Sequence, residues 1–382
     1  MSRENFRPTI TIGPRVRKSP FFASTVRWGV QSFTIYNHMY MPTVYTDPLD
    51  EYWKLVKGVT LWDVSCERQI EISGPDAARF TQYLTPRNLS RCGVGQCRYV
   101  LLTDDGGGVV NDAVLLRLAE QRFWLSPGDG DVLLWAKGVA HHSGMDVRLE
   151  EPDVSPLQLQ GPKSPDVARA LFGDWATGLA YYRLRETQID DIPVVLARTG
   201  WSGELGYEIY LQDGSRGDAL WERVMKAGEP HGIAPIAPNT IRSIEGGMLS
   251  FASDITPSDN PFTLGLERLV DLDQKAEFIG KAALRRIRDR GVERRLVGVE
   301  IGGAPLAGSN SEFWPVRIGE DVVGHLTRCV HSPQLQKNIG FVNVPTARAA
   351  PGSELHIDAD DGRRSARVIP VPFVAPKKRI GA

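Results

Sequence analysis

The chain has 382 residues, of which 42% are hydrophobic and 24% charged, a balance typical of folded globular proteins. Its formal net charge of -1 gives no bulk attraction to nucleic acid or to a membrane surface. Every apolar run is shorter than the roughly 20 residues of a membrane span, and the polar, Arg- and Pro-rich start lacks the apolar region of a secretory signal. We therefore expect a cytoplasmic protein of two or three domains without nucleic-acid or membrane partners.

The cysteine and histidine patterns predict no metal site. The four cysteines form no C-x-x-C pair and match no zinc spacing, so they are expected to be free thiols in a reducing compartment. The histidines are scattered, apart from His141–His142, which ends a predicted helix.

The first part of the chain alternates strands and helices. Residues 68–74 alternate as a strand, and residues 75–84 read as a helix with Pro75 in its first turn. Residues 98–118 predict a strand, a Gly-rich turn and a second strand. A further strand at 122–128 and a helix at 131–144 complete this part.

A similar order returns later in the chain. A strand at 155–161 precedes a helix at 162–173, strands near 192–198 and 206–212, and a helix at 215–232. The order strand, Gly-Pro, helix thus occurs twice, which fits two related α+β lobes and equally fits two ordinary strand–turn–helix units. After an amphipathic helix at 277–291, six short strands separated by turns are typical of a small β-barrel or jelly roll.

These patterns predict an α+β fold of three domains. The first lobe is assigned to residues 1–150, the second to residues 151–292, and the C-terminal β-barrel to residues 293–382. Both lobes are expected to be of a ferredoxin-like type.

Several motifs resemble, in order, those of the folate-dependent aminomethyltransferases, the glycine cleavage T-protein family. The motifs are "LWDVS" (61–65), the strand of Tyr99 leading into "DDGGGVVND" (104–112), "RTGWSGELGYEI" (198–209), "TIRSIEGGM" (240–248) and "FIGKAAL" (278–284). Within that family, "TIYNHMYMPT" (34–43), "WDVSCERQIEI" (62–72) and "SDNPFTLGLERLVDLD" (258–273) resemble dimethylsulfoniopropionate demethylases more than T-proteins. The resemblance implies two folate-binding lobes, a small methyl donor, tetrahydrofolate as the acceptor, and 5-methyltetrahydrofolate as a product.

Four positions depart from the usual T-protein pattern. Asn111 stands where T-proteins have the first of two aspartates, and Pro238 stands where they have an arginine. Trp201 replaces the usual tyrosine of the Gly-rich turn, and Glu67 ends "SCE" where T-proteins have "SHM". The departures argue against a lipoyl carrier protein as a partner.

The resemblance implies a folate site around Glu208 and Trp201. A pterin has an amide–amine edge that donates two parallel hydrogen bonds, and a glutamate carboxylate accepts such a pair in a plane. Glu208 is the candidate for this contact, although the alternation of "YEIYL" by itself also fits an outward strand residue. Trp201 is the candidate wall for the pterin or for a cationic donor, and a core tryptophan is the alternative.

The other candidates lie elsewhere in the chain. Asp112 and Tyr99 are predicted to be catalytic and to contact the folate, as the family's acid does at the reaction centre. Arg242 is predicted to bind a ligand carboxylate, or alternatively to pair with Glu245. The candidates for an aromatic box around the donor are Tyr36, Trp28 and Phe33, together with Trp201 and Tyr99.

The predicted activity is methyl transfer from a small onium carboxylate to tetrahydrofolate. A sulfonium loses a neutral thioether, so transfer needs alignment more than acid catalysis or a metal. The alternatives are another onium or N-methyl donor, an aminomethyltransferase, or a folate-binding protein without methyl transfer. Whether the chain forms a homo-oligomer is left open.

Overall fold

The computed structural model describes residues 10–377, so part of the polar start lies outside the described residues. The helices are α1 (Phe22–Arg27), α2 (Pro48–Lys57), α3 (Ala77–Tyr83), α4 (Val132–Ser143), α5 (Ser164–Phe172), α6 (Gly217–Gly228), α7 (Thr240–Glu245) and α8 (Lys281–Arg290). The strands before the barrel are β1 (Ser32–Tyr36), β2 (Met39–Val44), β3 (Thr60–Asp63), β4 (Ile70–Ser73), β5 (Gln96–Thr103), β6 (Val109–Ala119), β7 (Arg122–Pro127), β8 (Arg148–Glu150), β9 (Ser155–Gln160), β10 (Leu184–Ile189), β11 (Ile192–Ala197), β12 (Gly206–Leu211) and β13 (Ala234–Pro235). The barrel strands are β14 (Arg294–Ile301), β15 (Trp314–Ile318), β16 (Asp321–Ser332), β17 (Lys337–Pro345), β18 (Glu354–Ala359) and β19 (Gly362–Ile369).

The first large sheet has the strand order β5-β6-β7-β4-β8. Helices α3 and α4 cover one face, where Phe80 and Ala136 pack with strand residues such as Leu115. The opposite face meets the second sheet in a separate apolar cluster that includes Trp124 and Tyr210. Because both faces are covered, the sheet leaves little room for a ligand except where polar side chains interrupt the contact between the two sheets.

The second large sheet has the order β10-β11-β12-β9-β3-β13. Strand β3 comes from the predicted first lobe, yet it pairs antiparallel with β9 and parallel with β13. Helix α1, also from the early chain, contacts α6 of the second lobe. Segments of the early chain therefore belong to the second lobe, and a division at residue 150 does not describe the sheets. Local sequence patterns do not encode this non-local pairing.

The C-terminal strands close a barrel in the order β14-β17-β16-β15-β18-β19. Its interior is apolar and includes Val299, Leu326 and Val342. The α+β prediction with a C-terminal barrel is confirmed, and in the described part of the chain no helix has the length and apolar character needed to cross a membrane. All four cysteines are free thiols, as predicted.

Candidate functional site

Glu208 lies in the middle of the second sheet, between Ala197 of β11 and Gln158 of β9. Its side chain is only 2% exposed, so the outward orientation allowed by the sequence pattern is wrong. The Gln158 Nε2 amide donates to Oε1 at 2.8 Å, and the Tyr210 hydroxyl donates to Oε2 at 2.9 Å. The Thr199 hydroxyl also donates to Oε2.

These three donors limit how Glu208 can receive a ligand. A carboxylate offers about four lone-pair sites, so one site remains for a new donor unless a protein donor moves aside. Burial raises the pKa of Glu208, while the hydrogen bonds from Thr199, Tyr210 and Gln158 oppose that rise. A two-bond contact with a pterin edge, with one bond to each oxygen, therefore requires that the Thr199 or the Tyr210 hydroxyl be displaced from Oε2.

Two glycines of the 198–206 turn, Gly200 and Gly206, lie against the buried side chain of Gln160 and leave no room for a Cβ atom. A Cβ on Gly200 or on Gly206 would lie 2.3 Å from the Gln160 amide group. That amide donates to the Tyr207 carbonyl oxygen at 3.2 Å and accepts from the Ser202 hydroxyl at 2.6 Å. The Gly-rich turn is thus wrapped around Gln160, which fixes the position of the residues it carries.

Trp201 is half-buried in this turn, next to Glu208. Its backbone N–H donates to Gln158 Oε1 at 3.4 Å, so one glutamine contacts both Trp201 and Glu208. The indole Nε1 donates to the Leu249 carbonyl oxygen at 3.4 Å, and the Arg328 guanidinium lies 5.9 Å from the ring centroid. These contacts hold the ring at the edge of the site.

Asp112 and Tyr99 form a pair on neighbouring strands of the first sheet. The Tyr99 hydroxyl donates to Asp112 Oδ2 at 2.9 Å. Oδ1 of Asp112 is buried and has no hydrogen-bond partner within the described protein. Burial raises the pKa of Asp112 to about 6, against the lowering effect of the Tyr99 hydrogen bond. An unpartnered buried carboxylate oxygen costs free energy unless a ligand or water binds it, so Oδ1 is a candidate contact for a ligand.

Tyr36 reaches the same region from the β1–β2 hairpin. Its hydroxyl oxygen accepts the Asp129 backbone N–H at 2.9 Å, and the Asp129 carboxylate accepts the Asn37 N–H at 2.7 Å. Burial raises the pKa of Tyr36, and the charges of Cys66 and Asp112 raise it further.

The departure at Asn111 has a structural reason. Its side-chain amide donates to the Asp129 carbonyl oxygen at 2.9 Å and accepts the Gly128 N–H at 2.8 Å. An aspartate cannot donate the first of these bonds. Asn111 therefore fixes the loop that holds Tyr36.

Glu67 is a further candidate that was not among the predicted site residues. It lies in a 3-10 turn after β3, and its Oε2 accepts the Ser126 hydroxyl at 2.6 Å. Burial raises the pKa of Glu67, and the negative charges of Glu208 and Asp112 raise it further. Its departure from the T-protein pattern was the sequence signal that pointed to this position.

Three predicted residues are not brought into the site. Trp28 is 41% exposed and donates to Glu222 on α6 at 3.1 Å, so the prediction that it lines the donor box is corrected. The Phe33 ring stacks on Phe22 with ring centroids 5.0 Å apart, in an outer aromatic cluster. Arg242, which was predicted to contact a ligand carboxylate, is fully buried, and its guanidinium is directed to Glu204, Gly203 and Glu245.

Arg242 instead supports the Gly-rich turn from behind. Its Nε donates to Glu204 at 2.9 Å and its Nη2 donates to the Gly203 carbonyl oxygen at 3.2 Å. Nη1 lies 3.7 Å from Glu245, the partner that the sequence offered as the alternative. Arg242 therefore positions the turn that carries Trp201.

Comparison with known proteins places the chain in a family. The GCVT N-terminal domain matches residues 21–274, and the glycine cleavage T-protein C-terminal barrel domain matches residues 294–375. The chain belongs to the glycine cleavage T-protein family, as the sequence motifs indicated.

Individual relatives refine this placement. The chain is 36% identical over 355 residues to the dimethylsulfoniopropionate demethylase DmdA of Ruegeria pomeroyi, with 93% of this chain and 96% of that protein covered. It is 32% identical over 358 residues to an aminomethyltransferase of Symbiobacterium thermophilum, with 89% and 92% covered. The crystal structure of the glycine cleavage aminomethyltransferase T of Bartonella henselae superposes with a TM-score of 0.85 at 24% identity, covering 95% of this chain and 99% of that one, and supports the fold.

Proposed function

We propose that this protein is a tetrahydrofolate-dependent demethylase, which transfers a methyl group from a small sulfonium carboxylate such as dimethylsulfoniopropionate to tetrahydrofolate. The product is 5-methyltetrahydrofolate. The observation that carries the proposal is the 36% identity to a dimethylsulfoniopropionate demethylase over 355 residues, which span both matched domains.

The residues between the two sheets fit a folate. Glu208 offers a buried carboxylate for the polar edge of a flat ring, and Trp201 lies beside it. The free Oδ1 of Asp112 is a second buried acceptor, which a ring N–H satisfies. Tyr99 holds Asp112 in place through its hydroxyl.

The same region suits a cationic methyl donor. Asp112, Glu67 and Glu208 are acidic, and each lies close enough for its charge to act on a neighbour in this group. The rings of Tyr36 and Trp201 supply aromatic faces, and a cation over such a face gains about 0.5–2 kcal/mol. We assign Tyr36 and Trp201 to the donor side of the site.

Methyl transfer from a sulfonium needs little acid catalysis from the protein. Tetrahydrofolate supplies the nucleophilic nitrogen N5. In-line displacement breaks the donor's carbon–sulfur bond as the nitrogen–carbon bond forms, and the electron pair stays on sulfur as a neutral thioether leaves. Asp112, whose pKa is raised to about 6, is ionised at neutral pH and accepts the proton released at N5. The remaining contribution is alignment of donor and acceptor, which is worth roughly 7–11 kcal/mol when it is good.

An aminomethyltransferase is the rival function, favoured by the 32% identity to the Symbiobacterium protein. That reaction requires an aminomethyl-lipoyl carrier and yields methylenetetrahydrofolate. Incubation of the pure protein with tetrahydrofolate and a panel of sulfonium, betaine and aryl-ether donors, followed by mass spectrometry of the folates, separates the two. We expect 5-methyltetrahydrofolate from dimethylsulfoniopropionate without a carrier. Methylenetetrahydrofolate formed only with the carrier, and no methyl product from any onium donor, contradicts the proposal.

The cytoplasmic location is part of the same proposal. It is supported by the four free, buried cysteines, which are typical of a reducing compartment. The proposal includes no nucleic-acid, membrane or lipoyl-carrier partner.

A further inference from the structure

Arg328, on barrel strand β16, bonds to a loop that follows α7, residues 248–254, which is called the 248–254 segment. The Arg328 Nε donates to Asp254 Oδ2 at 2.7 Å, and its Nη2 donates to the Met248 carbonyl oxygen at 2.7 Å. The neighbouring Thr327 hydroxyl donates to Asp254 Oδ1 at 2.6 Å. The barrel therefore holds the segment at both of its ends.

The 248–254 segment is closed around the Asp254 carboxylate. Oδ2 accepts the Ser250 N–H at 2.9 Å, and the Ser250 carbonyl oxygen accepts the Asp254 N–H at 2.8 Å. The Asp254 side chain is fully buried, and the Arg328 side chain is 12% exposed. Loss of the Arg328 charge would leave a buried carboxylate unpaired, which is strongly unfavourable. The shape of the segment therefore depends on Arg328.

The 248–254 segment contacts the supports of both rings assigned to the methyl donor. The Leu249 carbonyl oxygen accepts the Trp201 indole N–H at 3.4 Å. Phe251 packs against Gly128, where a Cβ would lie 2.9 Å from the Phe251 Cβ. The residue after Gly128 donates its backbone N–H to the Tyr36 hydroxyl at 2.9 Å. One segment thus adjoins the supports of Trp201 and of Tyr36.

Arg328 also lies against Trp201 directly. Its guanidinium lies over the indole, 5.9 Å from the ring centroid, and 5.8 Å from the ring centroid of Phe341 on β17. An aromatic ring attracts a cation at either face. Because the guanidinium lies over one face of Trp201, a cationic donor has the opposite face to bind.

We propose that Arg328 is a positioning residue of the methyl-donor site. By holding the 248–254 segment and lying over one face of Trp201, it fixes the indole face that receives the onium group. The C-terminal barrel then takes part in donor binding. The inference rests on the proposed function, because it takes the donor to lie at Trp201 and Tyr36.

Folate binding should depend less on Arg328 than donor binding does. The proposed pterin anchor, Glu208, accepts its hydrogen bonds from Gln158, Thr199 and Tyr210, which belong to the second sheet or to the turn after β11. These bonds do not involve the barrel or the 248–254 segment. A loss of Arg328 should therefore separate the Michaelis constant for the donor from the dissociation constant for folate.

Steady-state kinetics with dimethylsulfoniopropionate and calorimetry with tetrahydrofolate test this on the full chain. Arg328→Met is expected to raise the Michaelis constant for the donor at least about fivefold, within the range of a lost cation–π contact, and to change the folate dissociation constant no more than about twofold. Arg364→Met is the matched control. Arg364 is a barrel arginine with a 7% exposed side chain that pairs with Asp361 and donates to the Gly302 carbonyl oxygen at 2.9 Å. Its loss should leave both constants as in the wild type.

A double-mutant cycle separates positioning of Trp201 from a general loss of structure. In the Trp201→Leu background, Arg328→Met should raise the Michaelis constant by no more than about half the factor seen in the wild type, because the ring that Arg328 positions is gone. Arg328→Lys keeps the charge beside Asp254 but lacks the planar fork that bonds two groups at once, and should raise the constant at least about twofold. If Arg328→Met does not fold, Arg328→Lys decides by the same comparison.

The outcomes separate this inference from the function it rests on. A wild-type Michaelis constant in the folded variant overturns the inference and leaves the proposed function standing. Equal factors in the two backgrounds, or a parallel loss of folate affinity, also overturn it, because Arg328 then acts independently of Trp201 or on the whole fold. If the wild type forms no 5-methyltetrahydrofolate from any onium donor, the proposed function and the inference both fail.

Discussion

Gln158 and Glu208 face each other across the β9–β12 pair, and the Gln158 amide donates to the Glu208 carboxylate at 2.8 Å. The same Gln158 accepts the Trp201 N–H through its Oε1 at 3.4 Å. The glutamine therefore links the proposed pterin anchor to the aromatic wall.

Glu208→Gln should weaken tetrahydrofolate binding at least tenfold, or about 1.4 kcal/mol. In the wild type the carboxylate accepts bonds from Gln158, Thr199 and Tyr210. The new side-chain amide has an N–H₂ group in place of one oxygen, so at least one of these donors loses its acceptor. Calorimetry on the folded variant measures the loss. Glu186→Gln, an exposed position on β10, is the matched control and should bind as the wild type does. Unchanged folate affinity in Glu208→Gln removes Glu208 from the site.

Trp201→Leu should raise the Michaelis constant for a charged onium donor more than it weakens folate binding. Leucine keeps much of the apolar area but has no π face to attract a cation. Steady-state kinetics with dimethylsulfoniopropionate and calorimetry with tetrahydrofolate give the two quantities. Trp28→Leu is the control, since that tryptophan lies on the surface beside Glu222. If Trp201→Leu strongly weakens folate binding and leaves the Michaelis constant for the onium donor unchanged, Trp201 belongs to the pterin wall instead.

The pH dependence of kcat/KM should report the ionisation of Asp112. If Asp112 must be ionised to accept a proton, kcat/KM should fall about tenfold for each pH unit below its raised pKa of about 6. Above about pH 7 the profile should stay nearly flat, because the neutral thioether needs no acid. Asp112→Asn should lose activity by about 10²–10⁴-fold and lose the acid limb of the profile. A wild-type profile that falls through alkaline pH points to an essential acid and contradicts this mechanism.

Tyr99→Phe independently tests the hydrogen bond between Tyr99 and Asp112. The Tyr99 hydroxyl donates to Asp112 at 2.9 Å and lowers its pKa, so removing the hydroxyl should move the acid inflection of kcat/KM to higher pH. Tyr207→Phe is the control. The Tyr207 hydroxyl is also buried, but it belongs to the second sheet and donates to the Ala176 carbonyl oxygen at 3.1 Å. An inflection that stays in place in Tyr99→Phe would show that the two groups are not coupled.

Local patterns in the sequence predicted the elements well. The strand predicted at 122–128 is β7 at Arg122–Pro127, and the helix predicted at 131–144 is α4, which ends before Gly144 with φ 65°. Alternation and glycine caps are local signals, so they identify such segments. They do not state which strands pair, and the placement of β3 in the second sheet was missed for that reason.

The site was predicted less completely than the fold. Glu208, Asp112, Tyr99 and Trp201 came from motif resemblance, and the structure places them between the two sheets or in the turn beside them. Glu67 and Glu208 come from different predicted lobes, 141 positions apart in the sequence, so only folding brings their charges together. Trp28 shows the converse, because an aromatic near the motif residues in sequence packs on an outer helix.

The last prediction separates a positioning role of Arg242 from ligand binding. Within residues 10–377, Arg242 is the cationic partner of Glu245 and one of two cationic partners of Glu204, and both glutamates are buried. Arg242→Met removes these pairs and should destabilise the fold by about 3–5 kcal/mol. Urea unfolding measures this cost. Arg216→Met breaks the exposed pair with Asp191 and should leave the stability as in the wild type. If Arg242→Met keeps wild-type stability and loses folate affinity, the guanidinium contacts the ligand as its sequence position suggested. A large loss of stability with residual folate binding places Arg242 behind the turn, where it holds Gly203 and Glu204 and, through them, Trp201.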